Sequence, residues 1–114
     1  MSTIERFTLP SHLTLINAYA FNACIQLRVF EINEDSKLQK INDWAFMNTS
    51  IKSFFIPRYL DTIGKNAFSN CNNLQIIEVD EYSEMKCFHA NPFKDCKNVV
   101  IIIPTKLNYH FKID

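Results

Sequence analysis

The chain has 114 residues, 47% hydrophobic and 13% aromatic, with ten Phe, four Cys and a single Gly. Twelve basic and twelve acidic side chains leave no net charge, which argues against a dedicated nucleic-acid binder with its basic face and gives no general attraction to an anionic membrane. The apolar fraction excludes a disordered chain, the lone Gly64 excludes glycine-rich phosphate loops, and the aliphatic run Val99 to Ile103 falls far short of the roughly 20 residues of a spanning helix.

Taken in chain order, the predicted elements repeat. Residues Met1 to Phe7 lack a basic region followed by an apolar core, so no signal peptide is expected. Read literally, that gives a cytoplasmic product; as a piece of a longer protein, the chain could equally stand at a cell surface. The dipeptide Ala-Phe then occurs at Ala20-Phe21, Ala45-Phe46 and Ala67-Phe68, with Pro92-Phe93 as a degenerate copy. The Phe spacings are 25, 22 and 25 residues. Three residues after each Phe stand Cys24, Thr49, Cys71 and Cys96, followed by the aliphatic residues Leu27, Ile51, Leu74 and Val99. A short β-rich run comes next each time: Val29 to Ile32, Ser53 to Ile56, Ile76 to Val79 and Val100 to Ile103.

A period of 47 residues overlies the shorter one. At that offset Pro10, Pro57 and Pro104 coincide, as do Phe21 and Phe68, Cys24 and Cys71, Glu31 and Glu78. Units of 22 to 25 residues fall in the leucine-rich-repeat range of about 20–29. Each unit alone leaves an apolar face exposed, and stacking buries it. The expected fold is therefore an α/β leucine-rich-repeat solenoid in one domain, residues 1–114, of about four repeats. Its short parallel strands stack in a curved sheet with little regular helix.

Strand alternation assigns the faces. Phe30, Ile32, Phe54, Ile56, Ile77 and Val79 should point inward. In the last strand the register is ambiguous: counting from Pro104 puts Ile101 and Ile103 inside, and counting from Cys96 and Val99 puts Ile102 inside. The second segment of each unit carries Leu13/Ile16/Phe21, Leu38/Ile41/Phe46, Leu60/Ile63/Phe68 and Met85/Phe88/Phe93, spacings that fit a short helical or 3-10 turn. After Pro104, residues Leu107 to Asp114 form either a closing strand or the start of another unit, with Leu107 matching Leu60.

The block Ile56 to Val79, IPRYLDTIGKNAFSNCNNLQIIEV, resembles the BspA-type leucine-rich repeat, whose pattern runs roughly IPxxVxxIGxxAFxxCxxLxxIxIP. Glu34 to Pro57 resembles the alternating SxLxxIgxxAF variant. The segment Phe7 to Ile32 departs by Asn17 at the glycine position, and Val79 to Phe93 departs by Met85, Phe88 and Pro92. The resemblance implies a curved solenoid with an adhesive or protein-binding role, often at a cell surface. It implies no catalytic residue and no cofactor.

Chemistry-bearing residues do not converge. Cys24, Cys71 and Cys96 share one rung position and read as reduced, buried thiols; a Cys71–Cys96 disulfide is geometrically conceivable between adjacent rungs. Cys87 lies off that ladder and is the thiol expected to face solvent. His12, His89 and His110 share no repeat position, which gives no metal site. The acidic turns at Glu31, Glu34, Asp35 and at Glu78, Asp80, Glu81 read as solvated charge. Asn48-Thr49-Ser50 is a glycosylation sequon. Gly64, Asn17 and Asn42 share a position read as a left-handed turn.

What remains is a surface, since solenoids bind through extended faces. The candidate protein-binding face is Val29, Glu31, Ser53, Phe55, Ile76 and Glu78, beside Arg6 and Thr8. Phe55 and Ile76 would make an apolar spot with acidic neighbours. The expected function is non-enzymatic protein binding or adhesion, without a cofactor, a nucleic-acid partner or membrane insertion by this segment. The alternative is a structural spacer that self-associates end to end.

Overall fold

The structure, a computed structural model, describes residues 3–88, 90–107 and 112–113, with the backbone alone at Cys87, Lys112 and Ile113. The chain coils repeatedly in one direction, so that short extended segments stack parallel. One side carries β1 (Arg6–Thr8), β3 (Val29–Glu31), β5 (Ser53–Ile56), β7 (Ile76–Val79) and β9 (Val100–Ile102). The other carries β2 (Leu15–Ile16), β4 (Lys40–Ile41), β6 (Thr62–Ile63), β8 (Cys87–Phe88) and β10 (Lys112–Ile113). Every pairing is parallel. The front ladder runs β1-β3 and then β5-β7-β9, and the back ladder β2-β4-β6 and then β8-β10. Front strands β3 and β5 meet through side chains, with the Phe30 ring stacked 5.9 Å from Phe54.

The front register aligns Phe7 with Phe30, and Phe54 with Ile77 and Ile101. A parallel in-register ladder keeps each side chain on the face of its neighbours, so this row forms the inner wall. Phe30, Phe54, Ile56, Ile77 and Val79 are buried, and Ile32 packs half-buried against them. The last strand follows the Pro104 count: Ile101 and Ile103 pack on the core while Val100 and Ile102 face out.

The second segments contain the expected short turns, preceded by a strand that the spacing did not predict. Each begins as a two-residue strand, because its amides find carbonyls on the adjacent rung instead of their own preceding turn. Gln39 N donates to Thr14 O at 2.8 Å, Asn42 N to Ile16 O at 2.9 Å and Gly64 N to Ile41 O at 2.7 Å. Only afterwards does the chain curl, through i to i−3 bonds such as Ala20 N to Asn17 O and Cys24 N to Phe21 O. Among the described residues the sole helical piece is the 3-10 turn Thr105–Leu107. There Leu107 N bonds Pro104 O at 2.9 Å, as Leu13 N bonds Pro10 O and Leu60 N bonds Pro57 O at 3.2 Å. The chain beyond Pro104 thus opens another unit, and Lys112–Ile113 pairs in parallel on Cys87–Phe88.

The curl builds a third ladder. Residues two before and two after each central Phe have positive φ: Tyr19 and Ala23, Trp44 and Asn48, Asn66 and Asn70, Asn91 and Asp95. This geometry aims alternate amides at the next rung. Phe21 N donates to Ala45 O and Phe46 N to Ala67 O, both at 2.7 Å, and Phe68 N to Pro92 O at 2.8 Å. The recurring left-handed positions are therefore these pairs, with Ala90 and Asn98 as two further positive-φ residues near the last Phe turn. Neither Gly64 nor Asn17 nor Asn42 has positive φ, contrary to the turn role expected of them. Gly64 has a different reason to lack a side chain: a Cβ there would stand 2.5 Å from Asp43 N and 2.6 Å from Asn42 C.

Inside the coil, Phe21, Phe46, Phe68 and Phe93 stack at 5.2, 5.1 and 5.6 Å between successive centroids. Phe30 and Phe54 meet this column edge-on at 4.8 Å, from Phe46 and Phe68 respectively, the T-shaped geometry that ring quadrupoles favour.

Candidate functional site

The front sheet positions every residue of the expected face, and divides them. Val29 and Glu31 lie on β3 opposite Arg6 and Thr8 of β1. This half is self-satisfied. Thr8 Oγ1 donates to Glu31 Oε1 at 2.8 Å, and Arg6 Nη1 stands 3.2 Å from the same oxygen. The Thr8 hydroxyl and then the Arg6 guanidinium hold the Glu31 carboxyl below its ordinary range. Beside them Arg28 and Glu5 pair at 3.6 Å.

The other half is apolar. Ser53, Ile76 and Val100 form one row across β5, β7 and β9, and Phe55, Glu78 and Ile102 form the next outward row. Ile76 is 40% exposed, Val100 58% and Ile102 48%, while Phe55 is half-buried. The patch thus gathers Ser53, Phe55, Ile76 and Glu78 and leaves out Val29 and Glu31. Val100 and Ile102 complete it. Reading the chain alone missed both, because they depend on the last strand's register, and Pro104 held the signal that fixes it.

The remaining candidates fall elsewhere. Cys24, Cys71 and Cys96 are free thiols, the first two buried and the third half-buried. Cys71 and Cys96 act as hydrogen-bond donors between rungs. Cys71 Sγ donates to Phe46 O at 3.1 Å and Cys96 Sγ to Phe68 O at 2.9 Å. Thr49, the rung residue that is not Cys, places Oγ1 3.3 Å from Cys71 Sγ. Burial raises the Cys71 thiol, and pushes that of Cys96 up to about 11, so neither is a nucleophile at neutral pH. The Cys87 side chain, His89 and His110 lie outside the described residues, and His12 is exposed. Among the described residues no three His, Cys, Asp or Glu side chains gather as a metal site, and no helix is long and apolar enough to cross a membrane. In the sequon, Thr49 is buried and the Ser50 hydroxyl donates to the Ile25 carbonyl.

At the loop edge beyond the front strands, a shallow cleft of about 400 Å³ is lined by Glu34, Lys37, Arg58, Tyr59, Glu81 and Tyr82, among others. Its cations rest on its own rings: Lys37 lies 5.3 Å from Tyr59, and Arg58 lies 5.2 Å from Tyr59 and 5.7 Å from Tyr82; Lys106, outside the cleft, lies 3.7 Å from Tyr82. These contacts tie rung to rung and hold the aromatic faces within the molecule.

The stacked parallel coils, the Phe column and the rung thiols coincide with a family signature. A BspA-type leucine-rich-repeat region matches residues 1–112 in six copies. The chain belongs to the BspA-type leucine-rich-repeat family. A leucine-rich cell surface protein from Faecalibacterium prausnitzii aligns with TM-score 0.64 and 28% identity, over 71% of this chain and 20% of that one. The pneumococcal vaccine antigen PcpA aligns with TM-score 0.75 and 18% identity, over 90% of this chain and 31% of that one, a likeness of fold alone. This BspA-type chain spans about a fifth and about a third of those two structures. No curated protein sequence matches it.

Proposed function

We propose that this chain is a non-enzymatic protein-binding module that works as one solenoid body, 1–114, through the front sheet. The observation that carries the reading is the patch of Phe55, Ile76, Val100 and Ile102 on a rigid sheet face. Solvent-facing aliphatic side chains on adjacent rungs are costly to keep in water, and contiguous exposed apolar area marks interaction sites. The strands hold these side chains in fixed rows, so a partner meets a surface that is already ordered, which reduces the entropy cost of association. Leucine-rich-repeat membership supports protein interaction as the general role. Adhesion at a cell surface is the specific form proposed, by analogy with the Faecalibacterium surface protein.

The test uses Ile76→Asp and Phe55→Asp. Both positions lie on the outer face, so the variants should keep the circular dichroism spectrum and nearly all of the urea stability. Capture of the partner, measured by surface plasmon resonance, should fall by about tenfold or more, as when a central apolar contact becomes a charge. Unaltered capture by both folded variants would remove the sheet face as the site. Size that grows with concentration in light scattering, with no captured partner, would favour the self-associating spacer.

A further inference from the structure

The two glutamates that the double repeat makes equivalent are in opposite states. Glu31 and Glu78 lie 47 residues apart at the same place in their strands. Glu31 is held by Arg6 and Thr8 on the neighbouring strand. The same offset carries Arg6 to Ser53 and Thr8 to Phe55. Glu78 therefore stands between Phe55 and Ile102 in its row, with Ile76 beside it on the strand, and has no ion pair among the described residues. A carboxylate flanked by apolar side chains becomes costly when a partner covers the patch and removes its water, unless that partner brings a cation.

Resting on the protein-binding reading above, we propose that the front sheet takes an amphipathic helix of a partner protein. The helix lies along the stacking direction and places one Lys or Arg on Glu78 between two apolar residues. The spacing selects a helix. Adjacent strands lie about 4.8 Å apart, so the row Phe55–Glu78–Ile102 repeats at that interval. A helix rises about 1.5 Å per residue, so positions i, i+3 and i+7 advance about 4.5 and then 6 Å on one face. Apolar residues at i and i+7 then meet Phe55 and Ile102, and the cation at i+3 meets Glu78. The uncharged Ser53–Ile76–Val100 row receives a second apolar stripe. In the half around Glu31 the carboxylate is already paired and Val29 is the one outward aliphatic side chain of β3, which directs the helix to β5, β7 and β9.

The experiment is selection of a displayed library of helical peptides against the full chain, followed by fluorescence anisotropy of the selected peptides at low and high salt. Winners should carry Lys or Arg flanked at helical spacing by aliphatic or aromatic residues, and their affinity should fall as salt rises. Glu78→Gln should weaken them, and Glu78→Lys should weaken them by about tenfold or more, since it sets like charges together. Reselection on Glu78→Lys should return acidic residues at the same position. Unchanged urea midpoints show that these exposed substitutions leave the fold intact. Winners that lose affinity for Ile76→Asp but bind Glu78→Lys in full would overturn the cationic helix and leave the sheet-face reading standing. Winners indifferent to Ile76→Asp as well, or a selection that returns none, would overturn the sheet face itself.

Discussion

At the scale of single residues, the one glycine shows how closely the rungs approach. A Cβ on Gly64 would meet the backbone of Asn42 and Asp43 at 2.5–2.6 Å, well inside contact distance, and backbone cannot swing aside as the end of a flexible side chain can. The same loop is fixed by Asp43, whose Oδ1 accepts the Lys65 amide at 2.8 Å. Gly64→Ala should therefore cost about 1–3 kcal/mol, the range for forcing extra volume into a packed site, measured from urea melts. A loss within error would mean that the two rungs separate freely there. The Asn residues at the matching positions, 17 and 42, show that the sequence pattern marks equivalence between units without revealing which of them touches its neighbour.

At the scale of the element, each Phe turn is a left-handed pair around an inward-packed ring, and Cys71 and Cys96 donate from its inner edge to carbonyls of the adjacent rung. Asn serves at four of the eight paired positions, 48, 66, 70 and 91, in keeping with its tolerance of this geometry. Tyr19, Ala23 and Trp44 adopt it too, because the ladder from Phe21 and Phe46 to the next rung offsets the strain. The thiol ladder has a pH signature. Burial holds the Cys96 thiol at about 11, above its ordinary 9.0, so the folded state keeps the proton that the unfolded state releases. Its contribution to stability is fully present below about pH 9 and is lost as pH rises through about 11. Peptide-resolved iodoacetamide labelling of Cys96 should be slow at pH 8, accelerate between pH 9 and 11, and be fast at pH 8 in urea. Rapid labelling of the native chain at pH 8 would contradict the hydrogen bond to Phe68 O.

At the scale of the whole molecule, the Phe column makes the stack one unit. Phe46 touches Phe21, Phe30, Phe54 and Phe68, which joins rungs on both sides of it. Phe46→Ala should cost about 3–5 kcal/mol, a large share of the roughly 5–15 kcal/mol that a domain possesses. A urea melt showing a loss under about 1 kcal/mol would refute its central place. Nearest-neighbour stacking also explains why end and middle rungs differ: Leu38 and Leu60 are fully buried while Leu13, at the same position of its unit, is 36% exposed.

The sequence by itself determined the repeat, the solenoid, the inward faces of β3, β5 and β7, and the outward set from which the binding patch is drawn. These follow from period and alternation, which are local properties of a chain. Tertiary structure decided what depends on the distance between rungs. It turned the second segments into a ladder of strands, because adjacent carbonyls lay within reach. It placed the left-handed residues on either side of Phe, and gave Gly64 its role through an approach of 2.5 Å. It fixed the last register, adding Val100 and Ile102 to Phe55 and Ile76. It also separated two equivalent glutamates, since an ion pair is made with whichever side chain the neighbouring rung presents: Arg6 for Glu31, and the apolar wall of Phe55 and Ile102 for Glu78.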